Sequence, residues 1–189
     1  MIKSHLLCQL SYAPARLNCW GLALEKANNE FTTPDASAAT RYASARCGQI
    51  VYMPPVGRVV ETSLYVEPLD RAVAFYERLF GFRRLLSDDR LCAFSVSDQH
   101  VLLLFRKRGT TEPYTFPGGI IPPHDGDGQY HLAFTIAAAD EPAWIEHLNA
   151  NRVPIESRVT WERGGASLYF RDPDGNLVEL ITPGCWEIY

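Results

Sequence analysis

No apolar run in the 189 residues is long enough to cross a bilayer, and the N-terminal Leu6-Leu7 is interrupted by Gln9 and Ser11 before it can act as a signal core. There is no basic surplus either. Eighteen Lys and Arg against 22 Asp and Glu leave a formal charge of −4, without the electrostatic footprint that nucleic-acid binding requires. The five cysteines (Cys8, Cys19, Cys47, Cys92, Cys185) are odd in number and form no CxxC pair. That argues against a zinc ribbon or a disulfide framework and fits reduced thiols. Gly-rich phosphate loops, a nucleophile elbow and Ser or Cys triad patterns are also missing. These absences point to a cytoplasmic protein whose partner is neither nucleic acid nor membrane.

What is present is an ordinary globular composition, 47% hydrophobic and 21% charged. Residues 1–56 stand apart: they hold three of the five cysteines and no sustained period of 3.6 or 2. Leu22–Ala27 could form a turn or two of helix before Asn28-Asn29 stops it. Such a segment is expected to be a poorly ordered extension. A mis-assigned start, with Met53 opening the domain, and an Arg-containing targeting peptide are the other readings.

From residue 57 to 184 the pattern is regular, leaving 185–189 as a tail. A strand signal begins at Val59 and runs to Val66, and Asp70 offers a helix cap. Ala72, Phe75, Tyr76, Leu79 and Phe80 then form the apolar stripe of a helix that Gly81 ends. Three strand-like runs follow, at 82–86, 91–96 and 100–105. Gly118 to Gly128 reads as a linker. Afterwards a strand (131–136), a helix capped by Asp140, runs at 153–155 and 157–160, and a hairpin across Asp172-Pro173-Asp174-Gly175 repeat the order. The expectation is an α+β domain of two βαβββ modules, at about 57–110 and 129–184.

The halves superpose by simple offsets. A shift of 70 lays Glu61 on His131, and one of 76 lays Leu103 on Glu179. Two units related by a pseudo-twofold would bring these four positions toward one cleft, and three of the four are metal-ligand types. Glu179 shares its strand face with Leu177 and Ile181 and needs a cation, a donor or a solvated cleft. Glu61, His131 and Glu179 together form an oxygen and nitrogen set suited to Mn²⁺, Fe²⁺, Ni²⁺ or Zn²⁺ with open positions. Singly, His131 also fits a core or surface histidine, and Glu61 an edge ion pair with Arg58.

Three motifs carry a family resemblance: Leu64–Phe82, Tyr130-His-Leu-Ala-Phe134, and Phe170-Arg-Asp-Pro-Asp-Gly-Asn-Leu-Val-Glu-Leu180. Through them the chain resembles the vicinal oxygen chelate superfamily of glyoxalase I, fosfomycin-resistance proteins, extradiol dioxygenases and bleomycin-resistance proteins. The resemblance implies paired βαβββ modules cupped around a metal, with ligands at Glu61, His131 and Glu179. It also implies a homodimer, with modules paired within a chain or exchanged between chains. The dioxygenase and fosfomycin branches carry His where this chain has Glu61, and glyoxalase I has a fourth ligand where this chain has Leu103. The expected activity is a metal-dependent isomerase, lyase or dioxygenase acting on a small oxygenated molecule, and the alternative is a non-catalytic binder of the bleomycin-resistance type. Beside the ligand set, Glu179 and His124 are the candidate catalytic groups, with Leu103, Tyr169 and Arg171 as candidate substrate contacts.

Overall fold

A computed structural model of the protein describes residues 54–189. The sequence expectations for residues 1–53, including the helical turn at 22–27 and three of the cysteines, lie outside the described residues. The first module comprises β1 (Glu61–Val66), α1 (Leu69–Phe80), β2 (Arg83–Ser87), β3 (Leu91–Ser97) and β4 (His100–Arg106). A short hairpin follows, β5 (Tyr114–Phe116) and β6 (Gly119–Ile121). The second module is β7 (His131–Thr135), α2 (Glu141–Ala150), β8 (Ser157–Thr160), β9 (Ala166–Arg171) and β10 (Leu177–Ile181).

Each module folds into its own four-stranded mixed sheet, ordered β1-β4-β3-β2 and β7-β10-β9-β8. In both, the first strand pairs parallel with the last and the remaining pairs are antiparallel. The repeat is therefore exact in topology. Glu61 and His131 each open the first strand of their module. Leu103 pairs with Ser63 in one sheet as Glu179 pairs with Ala133 in the other, so the four superposed positions are structurally equivalent.

The apolar stripe of α1 is buried as its spacing predicts, through Ala72, Phe75, Tyr76 and Leu79, joined by Leu69 and Val73. Gly81 closes the helix at φ 67°, its N–H donating to the Glu77 carbonyl. Several boundaries differ from the sequence reading. Pro68, not Asp70, occupies the N-cap, and Asp70 sits in the first turn, where its charge suits the positive helix end. Asp140 does cap α2, but with helical backbone angles and no side-chain bond, because a single 3₁₀ turn at Ala138–Asp140 runs straight into the helix. β1 starts at Glu61, not Val59. Residues 153–155 are not strand, and part of the expected linker pairs as β6 against β5.

One core serves both modules. In each sheet the even-numbered residues turn inward: Leu64, Val66, Leu102 and Leu104 in the first, Leu132, Phe134, Phe170, Val178 and Leu180 in the second. α1 joins them. It packs on β3 and β4 of its own sheet, and Phe80 reaches Phe134 and Phe170 of the other at ring separations of 4.8 and 6.5 Å. The odd-numbered face of each sheet consequently points away from the shared core.

The Asp-Pro-Asp-Gly-Asn run ties the modules together. The Asp172 carboxylate is buried and accepts four hydrogen bonds. They come from the backbone N–H groups of Asp174 and Asn176 (both 2.9 Å), the Asn176 side-chain amide (2.8 Å) and the Tyr76 hydroxyl of α1 (3.0 Å). Asn176 Oδ1 in turn accepts the Tyr130 N–H at the approach to β7 (2.9 Å). Asp174 Oδ1 accepts the Glu67 N–H just past β1 (2.8 Å). Gly175 supplies the positive φ, 81°, that closes the turn.

Candidate functional site

Three side chains meet on the outward face of the second sheet. Glu179 stands directly across from Tyr169 in the antiparallel β10–β9 register, and His131 lies diagonally across on β7. The Tyr169 hydroxyl donates to Glu179 Oε1 at 2.9 Å, and His131 Nε2 lies 3.1 Å from Glu179 Oε2. Glu179 is 5% exposed, so the carboxylate has the partners that a charged group in an apolar strand requires. His131 keeps about half of its side chain open to solvent, at 52%. Burial and the bond to Glu179 push the Tyr169 hydroxyl above its ordinary pKa, so at neutral pH it stays a donor to the carboxylate.

The same face carries Arg171, which is engaged already: its guanidinium reaches Glu156 (3.2 Å) and the Gly175 carbonyl (3.0 Å). Trp161 covers the far side, its indole N–H donating to Ser167 at 2.8 Å. The open end of the face is the His131–Glu179 end.

Glu61 does not join them. It is exposed at the start of β1, on the outward face of the first sheet, in line with Ser63 and Tyr65. Leu103 is half-buried on that same face. Among the described residues no three His, Cys, Asp or Glu side chains gather as a metal-binding group. Within one chain, then, two of the three expected ligands meet and the third faces elsewhere.

His124 is held at the other end of the first sheet's outward face. Its Nδ1 lies 2.7 Å from the Tyr65 hydroxyl, and its ring meets Phe105 edge-on at 4.8 Å. Its backbone is clamped twice, by its N–H to the Thr110 carbonyl (2.9 Å) and by the Thr110 hydroxyl to its own carbonyl. Tyr65 went unnoticed in the sequence. Its signal was there, since Glu61, Ser63 and Tyr65 alternate onto one strand face.

A cavity of about 370 Å³ opens on the core side of β7, lined by Phe80, Phe82, Phe134, Trp144, Leu132 and His100 among others. It lies behind the His131–Glu179 pair, across the sheet, and is not part of that site.

Comparison with known proteins agrees with this architecture. The profile of the Glyoxalase/Bleomycin resistance protein/Dioxygenase superfamily matches residues 58–180. The metallothiol transferase FosB of Lysinibacillus sphaericus is 31% identical over 119 residues, covering 62% of this chain and 76% of the relative. Biphenyl-2,3-diol 1,2-dioxygenase 3 of Rhodococcus globerulus is 28% identical over 125 residues, 65% of this chain and 62% of that enzyme. The crystal structure of lactoylglutathione lyase from Agrobacterium tumefaciens superposes with a TM-score of 0.65 at 32% identity, spanning 71% of this chain and 99% of that one. The chain belongs to the Glyoxalase/Bleomycin resistance protein/Dioxygenase superfamily.

Proposed function

We propose that the protein is a divalent-metal-dependent enzyme acting on a small oxygenated molecule, and that it works as a homodimer in which Glu61 of one subunit completes the His131–Glu179 pair of the other. The observation that carries this reading is the division of the ligand types. His131 and Glu179 are in contact on one outward face, and Glu61 holds the repeat-equivalent position on the other. Because the shared core lies between the sheets, one chain cannot fold these faces onto each other. A second chain can supply the missing face. The residues fit a divalent ion chemically: Glu179 is a buried carboxylate aimed at an accessible imidazole, and Glu61 is an exposed carboxylate. No thiolate takes part, and Leu103 in the fourth position leaves room for substrate oxygens.

When bound, the metal would supply Lewis-acid chemistry, stabilising negative charge on chelated substrate oxygens. The chain's own groups hold the site in register. Tyr169 donates to Glu179 Oε1 and leaves Oε2 directed at His131. The names of the relatives, a metallothiol transferase and a lactoylglutathione lyase, support metal-assisted chemistry on a small molecule. A non-catalytic binder is the second reading, favoured by Leu103 and by Glu61 where other branches of the superfamily carry His.

Glu179→Gln tests the assignment. Gln keeps the shape and can still accept the Tyr169 bond, so the melting temperature should hardly move, while zinc or manganese retained after dialysis should fall at least tenfold. Metal content equal to wild type would refute the ligand role. Light scattering should show a dimer at micromolar concentration, and Glu61→Gln should lower metal content without dissociating it. A monomer that binds metal as tightly would refute the exchanged site. Turnover separates enzyme from binder once a substrate is found.

A further inference from the structure

The floor of the first sheet's outward face has a definite sequence of chemistry. Glu61 stands at one end, Ser63 and the half-buried Leu103 occupy the middle, and Tyr65 with His124 closes the other end. Glu61 and Tyr65 are four residues apart on one strand, which is about 13 Å. The Tyr65–His124 pair is therefore outside the reach of the metal position yet on the same floor.

The pair is built firmly. Phe105 and Tyr130 flank Tyr65 at ring separations of 5.8 and 6.3 Å, and Thr110 fixes the His124 backbone from both sides. Gly126 permits the loop to lie this close, since a Cβ there would come within 2.6 Å of the Tyr65 ring and strike the Tyr130 hydroxyl. Among the described residues the only side-chain hydrogen bond of Tyr65 is to His124 Nδ1. Burial, then Asp125 and Tyr130, hold the Tyr65 hydroxyl above its ordinary pKa, so it keeps its proton. A phenol is a better donor than acceptor and an unprotonated imidazole nitrogen a good acceptor, which favours donation to Nδ1 across the 2.7 Å contact. With Nδ1 accepting, a neutral imidazole carries its own proton on Nε2. Among the described residues Nε2 has no hydrogen-bond partner. The Asp125 carboxylate, next to His124 in the chain and held by the Arg108 N–H, disfavours further negative charge beside the pair.

We propose that Tyr65 fixes His124 as its Nε2–H tautomer, and that this N–H receives a neutral oxygen, an amide or other carbonyl, at the far end of an elongated substrate. The inference rests on the metal-cup reading and narrows its substrate. One end of the molecule chelates the metal beside Glu61, an apolar middle passes Leu103, and a carbonyl at the Tyr65 end of the floor meets His124. His124 is then a specificity-determining contact, and Tyr65 is a positioning residue that acts through it.

Long-range ¹⁵N–¹H correlation of the imidazoles tests this in the zinc-loaded dimer, above the titration range of histidine. His124 should appear as the Nε2–H tautomer in the wild type. Millimolar acetamide should shift its Nε2 resonance and acetate should not. Tyr65→Phe, which keeps the ring packing, should let the Nδ1–H tautomer appear and cut the acetamide response roughly fivefold, the value of one neutral hydrogen bond. An Nδ1–H tautomer in the wild type would overturn the proposal, as would acetate shifting Nε2 more than acetamide, or neither probe shifting it. Zinc content, measured on the same samples, keeps the two readings apart. Zinc retained with an unresponsive His124 sinks the carbonyl contact alone, whereas zinc lost from the wild type sinks the metal reading on which it rests.

Discussion

Removing the Asp172 carboxylate should cost the domain a large part of its stability without touching the His131–Glu179 site. Asp172 accepts from Asp174 N–H, Asn176 N–H, the Asn176 amide and the Tyr76 hydroxyl, at 2.8 to 3.0 Å. In Asp172→Ala the Asp174 N–H lies at a partly exposed turn residue that water can reach. The Asn176 donors and the Tyr76 hydroxyl cannot be rescued, because Asn176 and Tyr76 are both 0% exposed. A buried donor left without an acceptor costs about 1–3 kcal/mol, so the two side-chain donors alone cost about 4 kcal/mol. Against a total of roughly 5–15 kcal/mol for a domain, that is a severe loss. For about 130 residues it corresponds to a melting temperature lower by roughly 15 °C.

Urea denaturation should show the midpoint displaced with an unchanged slope. Tyr76→Phe alone should cost less, about 1.5–2 kcal/mol, since Asp172 keeps three of its four donors. The double variant should then cost less than the sum, because deleting the hydroxyl removes one of the groups that Asp172→Ala strands. A loss under about 1 kcal/mol for Asp172→Ala would mean that solvent reaches the junction, and the reasoning would fail. Reduced metal retention at unchanged stability would instead place Asp172 in the site and refute its structural role.

Alkaline pH should expose the same junction. The Tyr76 hydroxyl is held well above its ordinary pKa of 10.0 by burial and by Asp172, so its contribution is complete below pH 10 and is lost as pH rises toward the folded value. Unfolding free energy should therefore drop above pH 10, and drop less steeply in Tyr76→Phe, as followed by circular dichroism. Gly126→Ala should destabilise by about 1–3 kcal/mol and shift the Tyr65 and Tyr130 ring resonances, since the added methyl has no room between them. Phe170→Ala should cost about 3–5 kcal/mol in thermal unfolding, because the ring is fully buried in the core that both modules share.

Periodicity and punctuation in the sequence carried most of the fold. The α1 stripe, the Gly81 stop and the strand runs are set by local physics, and local physics shaped the sequence there. The repeat offsets of 70 and 76 also placed four equivalent positions before any coordinate. What failed was local competition. Asp70 looked like a cap, but Pro68 already fixes the backbone angle at the entry. The Gly-rich stretch after Phe116 looked like linker, yet its first residues, Gly119–Ile121, pair back on Tyr114–Phe116. The specific Asp-Pro-Asp-Gly-Asn run was legible as a turn but not as a junction, because Tyr76 lies 96 residues away and no local signal connects them. The Tyr65–His124 contact was hidden for the same reason, across 59 residues.

The two-sheet arrangement explains why ligand types could be found in the sequence while their meeting could not. Equivalence under an internal repeat says which positions correspond, but not whether one chain lets them face each other. That is decided by where the helices go. Here Phe80 and Tyr76 carry α1 onto the inward face of the second sheet, where Phe134, Phe170 and Asp172 receive them. With both inward faces consumed by a common core, the outward faces must diverge, and Glu61 leaves the company of His131 and Glu179. Disrupting that packing to close the site within one chain would expose Phe80, Phe134 and Phe170 to water at roughly 1.5–3 kcal/mol for each ring. Pairing with a second copy would lose none of this burial, which is why the proposed metal site is assigned to a dimer.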